Sequence, residues 1–124
     1  MSVSVDHLVL AAATVAEGVQ WCEAALGVTP GPGGQHPLMG THNRLFDISS
    51  EAFPQAFFEI IAIDPTAPPP GRARWFGLDT LDLKGGPRLL HWVARSGAID
   101  AQTKALRAAG WDICLLYTSD AADE

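Results

Sequence analysis

Apolar and polar positions alternate from Val3 to Leu10, with Val5, His7 and Val9 on one face and Leu8 and Leu10 on the other, which predicts a first strand. The period then changes. Val15, Val19, Cys22 and Leu26 recur at helical spacing behind Thr14, a good N-cap, and ahead of Gly27, a natural helix end. After a turn-rich stretch, a short strand near Gln35 to Met39 is confined to a sheet edge by Pro37, which cannot donate to a ladder. Thr41 to Ile48 and Ala56 to Ile63 read as two longer strands joined by the polar turn around Ser49 to Glu51. On the later of these, Phe57, Glu59, Ile61 and Ile63 share one face, and Phe58, Ile60 and Ala62 share the face expected to meet the helix.

Four prolines between Asp64 and Gly71 rule out a continued sheet and make this stretch a linker or rim loop. Arg72 to Gly86 follows as an irregular segment carrying Trp75-Phe76-Gly77-Leu78-Asp79. Another strand is expected over Arg88 to Arg95, then a helix over Ala98 to Ala109 that closes at Gly110. A shift of 84 residues places His7 on His91, Val9 on Val93, Val15 on Ile99 and Cys22 on Leu106. Strand-helix patterning alone gives some of this likeness; the paired histidines add to it.

Composition narrows the class. At 124 residues and 48% apolar, the chain has a single-domain length and enough apolar surface for a packed core. No window approaches a membrane span and the N-terminus lacks a secretory pattern, so the expected setting is cytoplasmic, with no membrane partner. The net charge is -6, and half of it comes from Asp120, Asp123 and Glu124 at the end. Basic residues are scattered, which argues against a nucleic-acid partner. Cys22 and Cys114 lack the spacing of a zinc knuckle or a disulfide framework.

Glu59 is the most pointed candidate. A carboxylate between Phe57 and Ile61 on one strand face must be paired, protonated, metal-bound or wet, and a desolvated one can act as a general base toward carbon beside a carbonyl. If that face is open to solvent, Glu59 carries no such meaning. His36, His42 and Asn43 lie on or beside a glycine-flanked loop, where polar groups can reach a cavity mouth and bind a small molecule. His36 fits turn chemistry better. His42 and Asn43 have opposite strand parity, so only one of them points inward. Trp75 and Phe76 can wall an apolar pocket or cap the core.

The order strand, helix, three strands, with His7 on the first strand and Glu59 on the last, then a second strand and helix, resembles the vicinal oxygen chelate superfamily. Asp6-His7-Leu8-Val9-Leu10, the Gly34-x-His36-x-x-Met39-Gly40-Thr41-His42-Asn43 run, Phe58-Glu59-Ile60-Ile61-Ala62 and Trp75 to Asp79 are similar to its glyoxalase-like branch. The resemblance implies an α+β fold: a βαβββ module of the glyoxalase type over about 3–63, a linker over about 64–87, and the first strand and helix of a second module over about 88–113. It also implies metal ligands on the first and last strands of each module. His7, Glu59 and His91 match three of those positions, suited to Zn, Ni, Fe or Mn. The fourth strand position has no counterpart, and residues 114–124 read as a foreign tail on a cut reading frame. The expected function is a small-metabolite lyase or isomerase-type enzyme, with weak or no activity in this shortened form. The alternative is a metal-independent small-molecule binding module of the same superfamily. A cut second module would also leave unpaired edges on the strand at Leu89 to Ala94, an opening for a homodimer.

Overall fold

The structure is a computed structural model that describes residues 3–113; the tail at 114–124 lies outside the described residues. The elements follow in the order β1 (Val3–Ala11), α1 (Val15–Leu26), β2 (Gln35–His36), β3 (Thr41–Asp47), β4 (Phe57–Ile63), a single 3-10 turn at Trp75–Gly77, β5 (Arg88–Ser96) and α2 (Ile99–Ala108). The strands form one sheet in the order β2-β3-β4-β1-β5, giving a mixed α+β fold. β1 runs parallel to β4 and antiparallel to β5, and lies between them.

Most strand and helix limits fall within a residue of the sequence expectation, and β2 is the exception. It ends after two residues because Pro37 enters a turn in which Met39 and Gly40 both donate to the His36 carbonyl. The expected open strand is also half closed. β5 pairs with β1 from Val3↔Ser96 to Ala11↔Arg88, so only its outer side lacks a described partner strand.

The sheet buries both faces differently. On one, Leu10, Ala12, Cys22, Phe58 and Ile60 form a core under α1. On the other, Val9, Ala11, Ile61 and Leu78 pack beneath the 3-10 turn and its flanks. Thr14 caps α1, its hydroxyl accepting from Glu17 N at 3.1 Å. The seat of α1 departs from the expected stripe: Gly18 and Cys22 are its buried residues, and Leu26 is 47% exposed. A side chain at Gly18 would put Cβ 2.2 Å from Ile60 Cγ2. The bare glycine lets the helix approach the sheet along that line, which turns Leu26 outward. Among the described residues no helix is long and apolar enough to cross a membrane.

Candidate functional site

The face opposite α1 carries a buried polar chain built from four strands. His7 points there from the middle of the sheet, beside Val9 and Ala11. Glu59 arrives from the neighbouring β4, where β1 and β4 pair in parallel register. Asn43 arrives from β3 beside it, opposite Ile61 and therefore diagonal to Glu59. The residues are 4%, 2% and 5% exposed for His7, Glu59 and Asn43. Polar groups so deep must satisfy one another.

They do so in a continuous line. His7 Nδ1 lies 2.7 Å from Asp6 Oδ2, and His7 Nε2 lies 3.3 Å from Glu59 Oε1. Asn43 Nδ2 donates to Glu59 Oε2 at 2.7 Å and lies 3.2 Å from His36 Nε2. His36 Nδ1 then meets the Thr41 hydroxyl at 2.8 Å. Asn43 Oδ1 accepts from Gly34 N at 2.8 Å. Gly33 makes this possible, since a Cβ there would lie 2.2 Å from the Asn43 carbonyl oxygen.

The charges along the line are uneven. Burial pulls the His7 pKa down, but hydrogen bonds to Asp6 and Glu59 and the charges of both carboxylates outweigh it and raise the value to about 9. His7 is therefore an imidazolium at neutral pH, between two carboxylates. Asp6 is lowered in turn, chiefly by its hydrogen bond to His7. His36 is lowered, chiefly by burial, and stays neutral. One sheet face thus holds a charged and a neutral histidine on either side of the Glu59–Asn43 contact.

The expected residues divide cleanly. His7, Glu59 and Asn43 meet. His42 stands opposite Ala62, on the α1 face of the sheet, away from them. Strand parity allows only one of the adjacent pair inward, and the Gly34 and Glu59 contacts select Asn43. Trp75 sits edge-on to His36, ring centroids 5.2 Å apart, and Phe76 lies 6.1 Å from Trp75. His91, opposite Val9, shares the His7 face but is exposed, its ring 5.4 Å from Phe76. Of the line's members, Asp6 was not expected from the sequence, and His36 was assigned to turn chemistry. The shared parity of Thr41 and Asn43 directs both at the face of Glu59, and the pairing of His36 with Thr41 across β2 and β3 brings His36 to the same face.

His7 and Glu59 fit part of a metal centre. Two ligands each about 2 Å from one ion stand roughly 3 Å apart, as Nε2 and Oε1 do. Binding would require the His7 proton to leave. Among the described residues, however, no group of three or more His, Cys, Asp or Glu side chains is arranged to hold an ion. The structure does not draw His91 into the pair.

Comparison with known proteins gives a consistent result. The glyoxalase-like domain family matches residues 5–123. Among solved structures, methylmalonyl-CoA epimerase from Streptomyces coelicolor, in complex with 2-nitronate-propionyl-CoA, is similar at 17% identity and a TM-score of 0.60, over 94% of this chain and 78% of the other. Methylmalonyl-CoA epimerase from Mycobacterium tuberculosis is similar at 21% identity and a TM-score of 0.56, over 93% and 68%. A hypothetical protein of Bacillus halodurans is similar at 13% identity and a TM-score of 0.61, over 89% and 70%. No curated protein gives a significant match.

Proposed function

Because this chain belongs to the glyoxalase-like domain family, we propose that it is a small-metabolite lyase or isomerase-type enzyme that moves a proton on carbon beside a carbonyl, in the cytoplasm. The observation that carries the reading is the convergence of His7 and Glu59 at 3.3 Å on a buried sheet face. Glu59 Oε1 faces His7, while Asn43 holds Oε2, so the carboxylate is oriented before any substrate arrives. In this arrangement Glu59 accepts the proton from carbon, and Asn43 and Trp75 contact the substrate, with Phe76 as an apolar wall. His7 and Glu59 would hold a divalent metal, Zn, Ni, Fe or Mn. Such an ion, when bound, supplies polarisation of vicinal substrate oxygens.

Exchange of substrate hydrogen for deuterium, followed by NMR in D2O, tests the chemistry without knowing the product. The epimerase structures make acyl-CoA thioesters the first probes, followed by small 2-oxo and 2-hydroxy acids. Weak exchange above the uncatalysed rate is expected of this shortened chain with at least one probe, and Glu59→Gln to return it toward the uncatalysed rate. Equal rates in the two proteins would remove Glu59 from the chemistry. Elemental analysis of the purified protein checks the metal: about one ion per chain is expected, lost in His7→Ala.

One observation favours the second reading, a metal-independent binding module. Both oxygens of Glu59 already have protein partners, His7 and Asn43. Saturable probe binding without exchange, in metal-free protein, would establish that reading instead.

A further inference from the structure

Regular strand geometry does not allow the contact between Asp6 and His7. Successive strand residues point to opposite faces, yet Asp6 Oδ2 lies 2.7 Å from His7 Nδ1. The register accounts for it. Val5 faces Ala94 and His7 faces Val93, which leaves Asp6 as an extra residue on β1 against β5. A bulge of this kind swings a side chain out of its regular direction. The second Asp6 oxygen accepts from Arg95 Nη1 of β5 at 2.8 Å, and Arg95 Nη2 donates to the Pro54 carbonyl in the β3–β4 connection. The His7 ring meanwhile stacks on Phe57, centroids 4.5 Å apart and planes within 12°.

We propose that Asp6 is a positioning residue that aims His7 Nε2 at Glu59, and that Arg95 anchors Asp6, so that the second half of the chain reaches the site through Arg95 and Asp6. Phe57 fixes the plane of the His7 ring but is nearly indifferent to a half-turn about the Cβ–Cγ bond, which exchanges the two edges. A carboxylate at Nδ1 is not indifferent, because the half-turn would set a C–H against it and withdraw Nε2 from Glu59. Arg95 in turn holds the carboxylate in the bulge by a charge-assisted hydrogen bond. This rests on the reading of His7 and Glu59 as the working pair. Its content is the orientation of a ring, which can be measured apart from any activity.

Asp6→Asn is the direct test. An amide that turns its oxygen to His7 sets its NH2 against Arg95, and one that turns its oxygen to Arg95 sets its NH2 against His7, so one contact is lost either way. NMR of the full chain, with the fold checked by circular dichroism, reads the ring. In wild type the His7 carbon-bound ring protons carry the ring-current shift of the stacked Phe57, and the ring N–H protons exchange slowly with solvent. In Asp6→Asn the ring signals are expected to broaden or split, with at least tenfold faster N–H exchange. Arg95→Gln is expected to change them in the same direction by less. A folded Asp6→Asn with the ring signals and exchange of wild type would overturn the proposal. Should Asp6→Asn not fold, Arg95→Gln decides it, because unchanged ring signals there would remove the anchor and the proposal with it. Titration with Ni²⁺ separates this from the metal reading: a 10- to 100-fold loss of affinity in Asp6→Asn supports both. Changed ring signals with no Ni²⁺ binding even by wild type support the positioning role and dispose of the metal.

Discussion

The two strand-helix halves carry one pattern at an interval of 84 residues, and their equivalent residues end in opposite surroundings. His7 is 4% exposed, while His91 lies open on the edge strand. Cys22 is fully buried, while its counterpart Leu106 is 43% exposed. Position in the sheet makes the difference. β1 has β4 on one side and β5 on the other, so its inward residues are desolvated from both flanks; β5 has only β1 among the described strands. A histidine in the first setting must find charged partners and acquires a perturbed pKa, whereas the same residue type in the second can be satisfied by water. The chemistry of the chain follows from burial and neighbours more than from residue type.

Removing the two histidines one at a time is the sharpest way to break this comparison. His7→Ala leaves Glu59 buried without its cationic partner and Asp6 without its neighbour, which should cost about 3–5 kcal/mol. His91→Ala, at an exposed site, should stay within about 0.5 kcal/mol. Chemical denaturation of both variants measures the difference, and similar losses would mean that the halves are energetically alike.

A pH series probes the same contrast less drastically. The folded pKa of His7, about 9, stands above its unfolded value of 6.5. Its contribution to stability is therefore complete below pH 6.5 and lost as pH rises through 9, with a full size on the order of 3 kcal/mol. His36 has the opposite sign. Its folded pKa is lowered, so the unfolded chain takes up its proton first and stability falls as pH drops below 6.5. Asp6, also lowered, loses its contribution at still lower pH, as pH falls through its folded value. The expected profile peaks near pH 6.5. Its alkaline limb should be retained in His91→Ala and flattened in His7→Asn; a limb that survives in His7→Asn would assign it to another group.

Much of this was legible in the sequence because periodicity reports which face a residue occupies. Alternation around Glu59 placed it on the face away from α1, and alternation around His7 grouped it with Val5 and Val9; the strand pairing brings the two together on one face. Periodicity does not report depth or register. It marks His91 as equivalent to His7 and cannot show that β5 lies at the rim of the described sheet. It also assigns Asp6 to the wrong face, because a bulge suspends the alternation and nothing in Val5-Asp6-His7 announces one. His36 was hidden for a related reason: Pro37 suggests a solvated turn, and Trp75, which meets the His36 ring edge-on, comes from a distant segment.

The smallest expected effect tests the helices of the two halves. Gly18 of α1 falls on Gln102 of α2 at the same interval. Gly18→Ala gains about 1 kcal/mol of helix propensity. The added methyl, however, would meet Ile60 Cγ2 at 2.2 Å, and the branched carbon of a fully buried isoleucine cannot swing aside. Overpacking of that kind costs about 1–3 kcal/mol, which exceeds or cancels the propensity gain, so Gly18→Ala should be destabilising by roughly 1 kcal/mol. Gln102→Ala gains a smaller propensity term and loses a hydrogen bond from Ser96, for a net change within about 0.5 kcal/mol. Thermal melts of both variants decide it. A Gly18→Ala chain more stable than wild type would mean that α1 does not sit closely on β4.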